Sequence, residues 1–311
     1  AFEFGLPPWA RAADWLKHPK TARYLAFSGL AVFMMFITSS ALSYLESHVH
    51  GLSRYDKAVT AIEWQDLPEF LQSPDNRHIL DYIRDRIDLR PTDRILDTGL
   101  AERIGASLLR DDPPVYPAIG WVKSVERVVV RPDGVVTIKC RFREPKAFIQ
   151  HGETCYLVDD EGAVLPGTYA PEDCATSKLL MIAGIKHQPP AVGHVWPGED
   201  VRSGLKLAGL VADRPFRNQV DRIIVSNFDG RVDKKRPHVE FATNRPGSRI
   251  WWGLPPARED GTETTAEQKL ALLDWLYHEY GRIDMNRSYV DIRTHPRSIS
   301  MPREAQTVAR Q

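Results

Sequence analysis

The stretch GWVKSVERVVVRPDGVVTIKCRFREPKAFI (residues 120–149) decides the fold of the first half of the chain. Two strand-like runs, residues 121–131 and 135–143, are separated by Pro132, Asp133 and Gly134, a sequence typical of a tight turn. In the second run apolar and polar residues alternate. This alternation predicts an antiparallel hairpin with one dry face and one wet face.

The residues before this hairpin predict two helices between strands. Residues 57–64 alternate and predict a first strand, and residues 66–75, which include two prolines, predict a turn region. Apolar residues at helical spacing then predict helices over 76–87 and 98–110. The predicted order within a first domain, residues 55–149, is therefore strand, helix, helix, strand, strand.

Further towards the N-terminus, residues 24–45 (YLAFSGLAVFMMFITSSALSYL) carry no charged side chain. A helix of this length reaches ~33 Å, enough to cross a hydrocarbon core of ~30 Å. We predict a transmembrane helix anchored by Tyr24, Phe33 and Tyr44. Lysine and arginine precede it, which predicts that residues 1–23 form a cytoplasmic tail and that the later domains lie outside. A cleaved signal peptide is the alternative interpretation.

The rest of the chain predicts a second domain, residues 150–301, with an antiparallel sheet and flanking helices. Helices are predicted over 201–211 and 265–280, and Thr265 with Gln268 offers a capping box for the second. The strand-length runs are residues 154–158, 163–165, 179–185, 220–226, 239–243, 250–254 and 288–293. The fold class is therefore α+β, and residues 302–311 predict a disordered tail.

The composition argues against several functional classes. The 311 residues include 41 basic and 41 acidic side chains, so the net charge gives no electrostatic reason to bind nucleic acid. The chain has no HExxH, GxSxG, P-loop or Cys-x-x-Cys motif, and we expect no catalytic residue, metal site or cofactor. Cys140 is expected to be a small buried residue, whereas Cys155 and Cys174 could pair in an oxidising compartment.

Several motifs together resemble the FtsQ/DivIB family of bacterial cell-division proteins, which carry a POTRA domain and a second β domain behind one membrane helix. The family's POTRA motif is matched by Trp121, Val122, Pro132, Asp133, Arg143, Glu144 and Pro145. YLVDDEGAVLPG (residues 156–167) is similar to the hairpin that opens the second domain. GSRIWWGLP (residues 247–255), the helix around Lys269, and SYVDIRT (residues 288–294) resemble later elements of the family.

The resemblance implies a scaffold without chemistry. Such a protein crosses the cytoplasmic membrane once, with its N-terminus in the cytoplasm, and is expected at the division septum. It recruits bitopic FtsB/FtsL-like partners and so helps to control septal peptidoglycan synthesis. The implied mode is addition of a partner strand to an exposed sheet edge. The implied partner-binding residues are Tyr289, Asp291, Arg293, Thr294, Arg297 and Ser298.

The sequence leaves alternatives open at this edge and for the function. Alternation predicts that Val290 and Ile292 are core residues and that Tyr289, Asp291 and Arg293 are partly exposed. Asp291 and Arg293 could contact the partner or form an ion pair within the domain. The POTRA domain could contact other membrane proteins of the division machinery. The alternative functions are a POTRA-containing chaperone or secretion component and an anchored enzyme acting on cell-wall glycan.

Overall fold

A computed structural model describes residues 19–50, 52, 56–111 and 118–294. The protein is a mixed α+β chain with one apolar helix near its N-terminus and two β-sheets. Residue contacts divide it into two compact units. The first comprises Ala1–Glu63, Leu89–Leu100 and Val129–Thr137, and the second comprises the remainder. The predicted domains 55–149 and 150–301 divide the chain differently and stay a prediction.

The first helix, α1, runs from Pro19 to His50. Its segment Phe27–Leu45 is the one helix in the described part of the chain that is long and apolar enough to cross a membrane. Phe33 and Tyr44, two of the three predicted anchor residues, are exposed on it, as lipid-facing side chains would be. Tyr24 lies in the same helix, but its side chain is outside the described residues.

A three-stranded sheet follows, in the order β1-β3-β2. Its elements in chain order are β1 Ala61–Gln65, α2 Glu69–Gln72, α3 Arg77–Arg84, α4 Leu100–Leu109, β2 Val122–Val130 and β3 Val135–Phe142. The two longer helices and the hairpin lie where the sequence predicts them. The helix α2 was not predicted, because its single turn lies in a proline-flanked segment that gives no periodic signal.

The turn between β2 and β3 lies in the first unit and requires its glycine. Gly134 has a φ of +88°, in the left-handed region that L side chains disfavour. A Cβ atom there would lie 2.7 Å from the carbonyl oxygen of Ala58. The Gly134 carbonyl accepts a hydrogen bond from the amide N–H of Thr60 (2.9 Å). This main-chain contact holds the turn against the residues that lead into β1.

The larger sheet has eight strands in the order β11-β10-β9-β8-β7-β4-β5-β6. Its strands are β4 Ala147–His151, β5 Thr154–Val158, β6 Val164–Tyr169, β7 Leu180–Ala183, β8 Val220–Ile224, β9 Val239–Thr243, β10 Arg249–Gly253 and β11 Tyr289–Asp291. Three helices complete it, namely α5 Pro171–Ala175, α6 Glu199–Ala212 and α7 Ala266–Tyr280. Seven of the eight strands coincide with predicted runs, and β4 was missed.

The second sheet was predicted to be antiparallel, but it is mixed. The pairs β4–β7, β7–β8 and β10–β11 are parallel. The physical reason is that a helix crosses over within each of these connections, and a crossover returns the chain in the same direction. The strand β4 also begins the larger sheet at Ala147, before the predicted domain boundary at residue 149.

One face of the larger sheet is buried under α6 and α7. The core there includes Phe241, Trp252, Leu273, Val290 and Ile292, each fully buried. The last two confirm the predicted core face of the final strand. The helix α7 begins with the predicted capping box, in which the Thr265 hydroxyl accepts from the amide of Gln268 and the Gln268 side chain accepts from the amide of Thr265.

Candidate partner-binding edge

Among the described residues, the strand β11 forms one edge of the larger sheet and has β10 as its one neighbouring strand. Tyr289, Val290 and Asp291 lie beside Arg249, Ile250 and Trp251 in parallel register. An edge strand leaves every second residue's N–H and C=O without a partner strand. The predicted partner-binding residues Tyr289 and Asp291 thus lie on a sheet edge, as the strand-addition hypothesis requires.

The hydrogen bonds identify which backbone groups of β11 face outward. The amide of Arg249 donates to the carbonyl of Ser288 (3.0 Å), and the amide of Ile292 donates to the carbonyl of Trp251 (3.3 Å). Residues 288, 290 and 292 therefore face β10, because successive residues of a strand point their backbone groups to opposite sides. The amides and carbonyls of Tyr289 and Asp291 consequently point away from the sheet.

The backbone of Arg293 is already occupied within the chain. Its amide donates to Asp291 Oδ1 (3.1 Å), and its carbonyl accepts from the amide of Thr264 (2.9 Å). The Thr264 hydroxyl adds a bond of 3.2 Å to the same carbonyl. The open edge therefore covers Tyr289 and Asp291 and stops at Arg293. Thr264 had no signal in the sequence, since it lies 29 residues from its partner.

The Asp291 and Arg293 side chains form an ion pair with each other. The guanidinium donates through Nε to Oδ1 (2.9 Å) and through Nη2 to Oδ2 (2.7 Å), a two-point contact. This hydrogen bonding raises the pKa of Arg293 above its ordinary value. Asp291 is buried rather than partly exposed as predicted, because the guanidinium covers it. The ion pair within the domain, one of the two alternatives, is thus present.

Aromatic rings flank the open edge on the sheet face that α6 and α7 leave uncovered. The rings of Trp251 and Tyr289 are stacked, with centroids 4.4 Å apart and planes 11° from parallel. The Arg293 guanidinium lies 5.5 Å from the centre of the Trp251 ring. Glu240, which is opposite Trp251 in the register, has a pKa raised by burial. The edge is thus bordered by a flat, amphipathic surface.

A buried ion pair supports the segment that carries Thr264. Lys269 is fully buried in α7, and its ammonium lies 2.7 Å from Glu263 Oε2. The same carboxylate oxygen accepts from the amide of Leu254 (2.8 Å). A Cβ atom at Gly253, where φ is +90°, would clash with this carboxylate, so the glycine makes room for it. Glu263 therefore links the end of β10 to α7, and it holds in place the neighbouring residue Thr264, which bonds to the Arg293 carbonyl.

The opposite edge of the sheet, formed by β6, is partly covered. The amide of Val164 donates to the carbonyl of His194 (3.0 Å), and the amide of Gly193 donates to the carbonyl of Val164 (2.7 Å). Further along β6, Pro166 has no N–H to offer. Within the described part of the chain the two edges are therefore unequal, and β11 has the more open one.

The hairpin residues of the predicted motif have structural roles. Trp121 and Val122 are buried at the start of β2. Pro132 and Asp133 lie in the β2–β3 turn, where Asp133 Oδ1 accepts from the amide of Val135 (3.2 Å). Trp121 and Val122 therefore serve core packing, and Pro132 and Asp133 serve turn formation.

Arg143, the next motif residue, forms a buried ion pair. Its Nη1 lies 2.5 Å from Oδ2 of Asp159, whose side chain is fully buried. The other oxygen of Asp159 accepts from the amides of Glu161 (3.0 Å) and Ala163 (2.7 Å). Asp159 thus forms the predicted turn of the β5–β6 hairpin and ties the end of β3 to it. The next two motif residues, Glu144 and Pro145, lie in the short connection to β4.

The remaining predicted residues have mixed outcomes. Thr294 is exposed at the end of the described chain, whereas Arg297 and Ser298 lie outside the described residues. Within the described ranges, no three His, Cys, Asp or Glu side chains are grouped to hold a metal ion.

No protein-family model matches the sequence, and comparison with curated proteins gives no significant match.

Proposed function

We propose that this chain is a bitopic membrane scaffold of the FtsQ/DivIB type that recruits FtsB/FtsL-like partners to the cell-division machinery. The observation that carries the proposal is the geometry of β11, a terminal strand whose Tyr289 and Asp291 backbone groups point away from the sheet. Strand addition uses such groups and depends little on side-chain identity. The proposal includes no catalytic residue, metal or cofactor.

The open edge sets the size of the expected contact. Two outward residues, Tyr289 and Asp291, offer two N–H and two C=O groups, so a partner strand could form four main-chain hydrogen bonds here. At ~0.5–1.5 kcal/mol each, these bonds contribute ~2–6 kcal/mol, which is too little for a tight complex on its own. The stacked rings of Trp251 and Tyr289 beside the edge supply apolar surface that could provide the rest.

The membrane helix supports the cellular location in this proposal. The segment Phe27–Leu45 has the length and composition of a single membrane span. Lys17, Lys20 and Arg23 precede it, which favours a cytoplasmic N-terminus and an extracytoplasmic position for both sheets. The scaffold would then act in the inner membrane at the septum, and the POTRA-like part could contact further membrane proteins of the division machinery.

A photo-crosslinking experiment tests the proposal in living cells. A photoreactive residue replaces Tyr289 in one variant and Thr168, on the opposite edge strand β6, in a matched variant. We expect capture of a small bitopic protein from position 289 and not from position 168. Capture from neither position, or equal capture from both, would contradict an edge-specific site. Turnover of peptidoglycan by the purified protein would contradict the scaffold itself.

Two substitutions separate main-chain from side-chain recognition at Tyr289. Tyr289→Ala removes the ring that stacks on Trp251, whereas Tyr289→Pro removes the ring and the outward N–H. Neither change removes a hydrogen bond to β10, because that N–H points away from the sheet. If a partner strand pairs here, capture through a crosslinker at Thr294 falls further in the proline variant than in the alanine variant. Equal capture by the two variants would contradict strand addition.

A further inference from the structure

Two of the three cysteines meet at the β6 end of the larger sheet. Cys155 lies on β5 and Cys174 on α5, and both are buried. Both are free thiols, the helix α5 packs against β5, and each thiol is close enough to affect the pKa of the other. The sequence left this pairing open, because the two residues are separated by a strand and most of a helix. The third cysteine, Cys140, is buried on β3 and belongs to the smaller sheet.

We propose that Cys155 and Cys174 form a structural disulfide bond in the mature protein. The proposal relies on the extracytoplasmic location proposed above, because disulfides form and persist in oxidising compartments. The two thiols together lose two protons and two electrons as the S–S bond forms. The electrons pass to the disulfide of a thiol–disulfide oxidoreductase, or of oxidised glutathione, which is reduced to two thiols.

The bond would fasten a helix that has few other attachments. The helix α5 has five residues, and Cys174 is its one buried side chain. Its N-cap residue, Ala170, makes no side-chain capping bond, so the helix lacks a common source of stability. Just before it, Tyr169 packs edge-on against Phe148 with ring centroids 5.3 Å apart. A disulfide to β5 would hold α5 over this part of the sheet.

The burial of both thiols determines when the bond forms. Burial raises the pKa of the Cys155 thiol and raises that of Cys174 to about 12. Disulfide exchange requires a thiolate that an oxidant can reach, and neither condition holds once α5 is in place. The bond is therefore made during folding, before α5 covers Cys155. Afterwards the same burial protects it from reduction.

Counting free thiols in the full-length chain tests the proposal. The protein is expressed in a host whose cytoplasm and periplasm are both oxidising, then acid-quenched, denatured and treated with a polyethylene-glycol maleimide. We expect one reactive thiol, Cys140, before reduction and three afterwards. Peptide mapping should place Cys155 and Cys174 in one linked pair. Three reactive thiols before reduction, or linkage of either residue to any other thiol, would overturn the proposal.

Expression in a host whose cytoplasm is reducing distinguishes an error in the disulfide proposal from an error in the proposed extracytoplasmic location. Protease added to spheroplasts digests the larger sheet only if it lies outside the cytoplasm. If the domain is protected there and its thiols are free, while the pair is linked in the oxidising host, the location is wrong and the disulfide stands. If the domain is digested and its thiols are free in the host with a reducing cytoplasm, the disulfide proposal fails.

Matched variants measure what the bond contributes. Cys140→Ala keeps the pair and should show no reactive thiol before reduction. Because the folded domain shields the bond, the variant is unfolded in reductant and refolded before melting, and its Tm should then be ~5–10 °C lower, as expected for a crosslink closing a loop of roughly 20 residues. The double variant Cys155→Ala/Cys174→Ala should melt at the same temperature with and without reductant. An unchanged Tm after unfolding and refolding Cys140→Ala in reductant would contradict a stabilising disulfide.

Discussion

Replacing Glu263 by glutamine should remove the carboxylate that is hydrogen-bonded to the buried ammonium group of Lys269. Lys269 is fully buried, and its ammonium lies 2.7 Å from Glu263 and 5.4 Å from the centre of the Trp252 ring. Burial lowers the pKa of Lys269, and the Glu263 carboxylate opposes that effect. Removing one partner of a buried ion pair costs about 3–5 kcal/mol, so Glu263→Gln should strongly destabilise the fold.

The lysine can limit this cost by losing its proton. At pH 7, deprotonating a lysine whose ordinary pKa is 10.5 costs about 5 kcal/mol, which sets an upper bound on the penalty. In that case the folded Glu263→Gln variant binds one proton fewer than the unfolded chain. The free energy of unfolding should then rise with pH between 7 and 10, by ~1.4 kcal/mol per pH unit.

Urea unfolding of the full-length protein in detergent micelles, followed by tryptophan fluorescence, measures both effects. The matched control is Glu267→Gln, on the exposed side of α7, the helix that carries Lys269. It should change stability by less than ~0.5 kcal/mol. The double variant Glu263→Gln/Lys269→Met should recover most of the loss, since an apolar side chain tolerates burial. A Glu263→Gln penalty that is independent of pH and adds to that of Lys269→Met would refute the reasoning.

Three further predictions follow from the same structure. In helix α6, Gly204→Ala should destabilise the protein by ~1–3 kcal/mol because the new Cβ would lie 2.8 Å from Ile182. Gly209→Ala, with open space around it, should stabilise the protein by up to ~1 kcal/mol, so the two changes in the free energy of unfolding by urea should have opposite signs. Burial alone would raise the pKa of Asp284, but hydrogen bonds from neighbouring side chains and an amide lower it from 3.8 to about 2. About 2 kcal/mol of stability that is present above pH 4 should therefore disappear as the pH falls from 4 to 2, and Asp284→Asn should not show this loss when its stability is measured against pH. Thr265→Ala should lower the free energy of unfolding by ~1 kcal/mol while Thr265→Ser keeps it, since only the hydroxyl accepts the capping bond.

Local patterns in the sequence were sufficient for most elements. The alternation around Val290 and Ile292 predicted their burial, and the Thr265–Gln268 box marked the start of α7 to within one residue. These features succeed because their causes lie within a few residues of one another. Helix caps and strand alternation are set by neighbours along the chain, so a single sequence carries their signal.

The missed features depend on residues that are distant in sequence. The strand β4 pairs on both sides, with β5 and β7, and Ala147, Phe148 and Ile149 are all buried, so no alternation marked it. Parallel pairing follows from crossovers, which periodicity does not reveal. The contact of Thr264 with Arg293 and the burial of Lys269 likewise depend on packing between elements. The limits of the candidate edge therefore became visible only in the fold.

The unequal edges of the larger sheet also restrict how copies of this protein can assemble. Growth of a fibre by strand pairing needs a receptive edge on each side, so that every added copy offers a new one. Here β6 carries Pro166 and is bridged at Val164, which leaves β11 as the receptive side. Pairing of two β11 edges gives a closed, two-fold symmetric dimer with no receptive edge remaining. Self-association through this sheet would therefore end at two copies, and it would compete directly with the proposed partner strand.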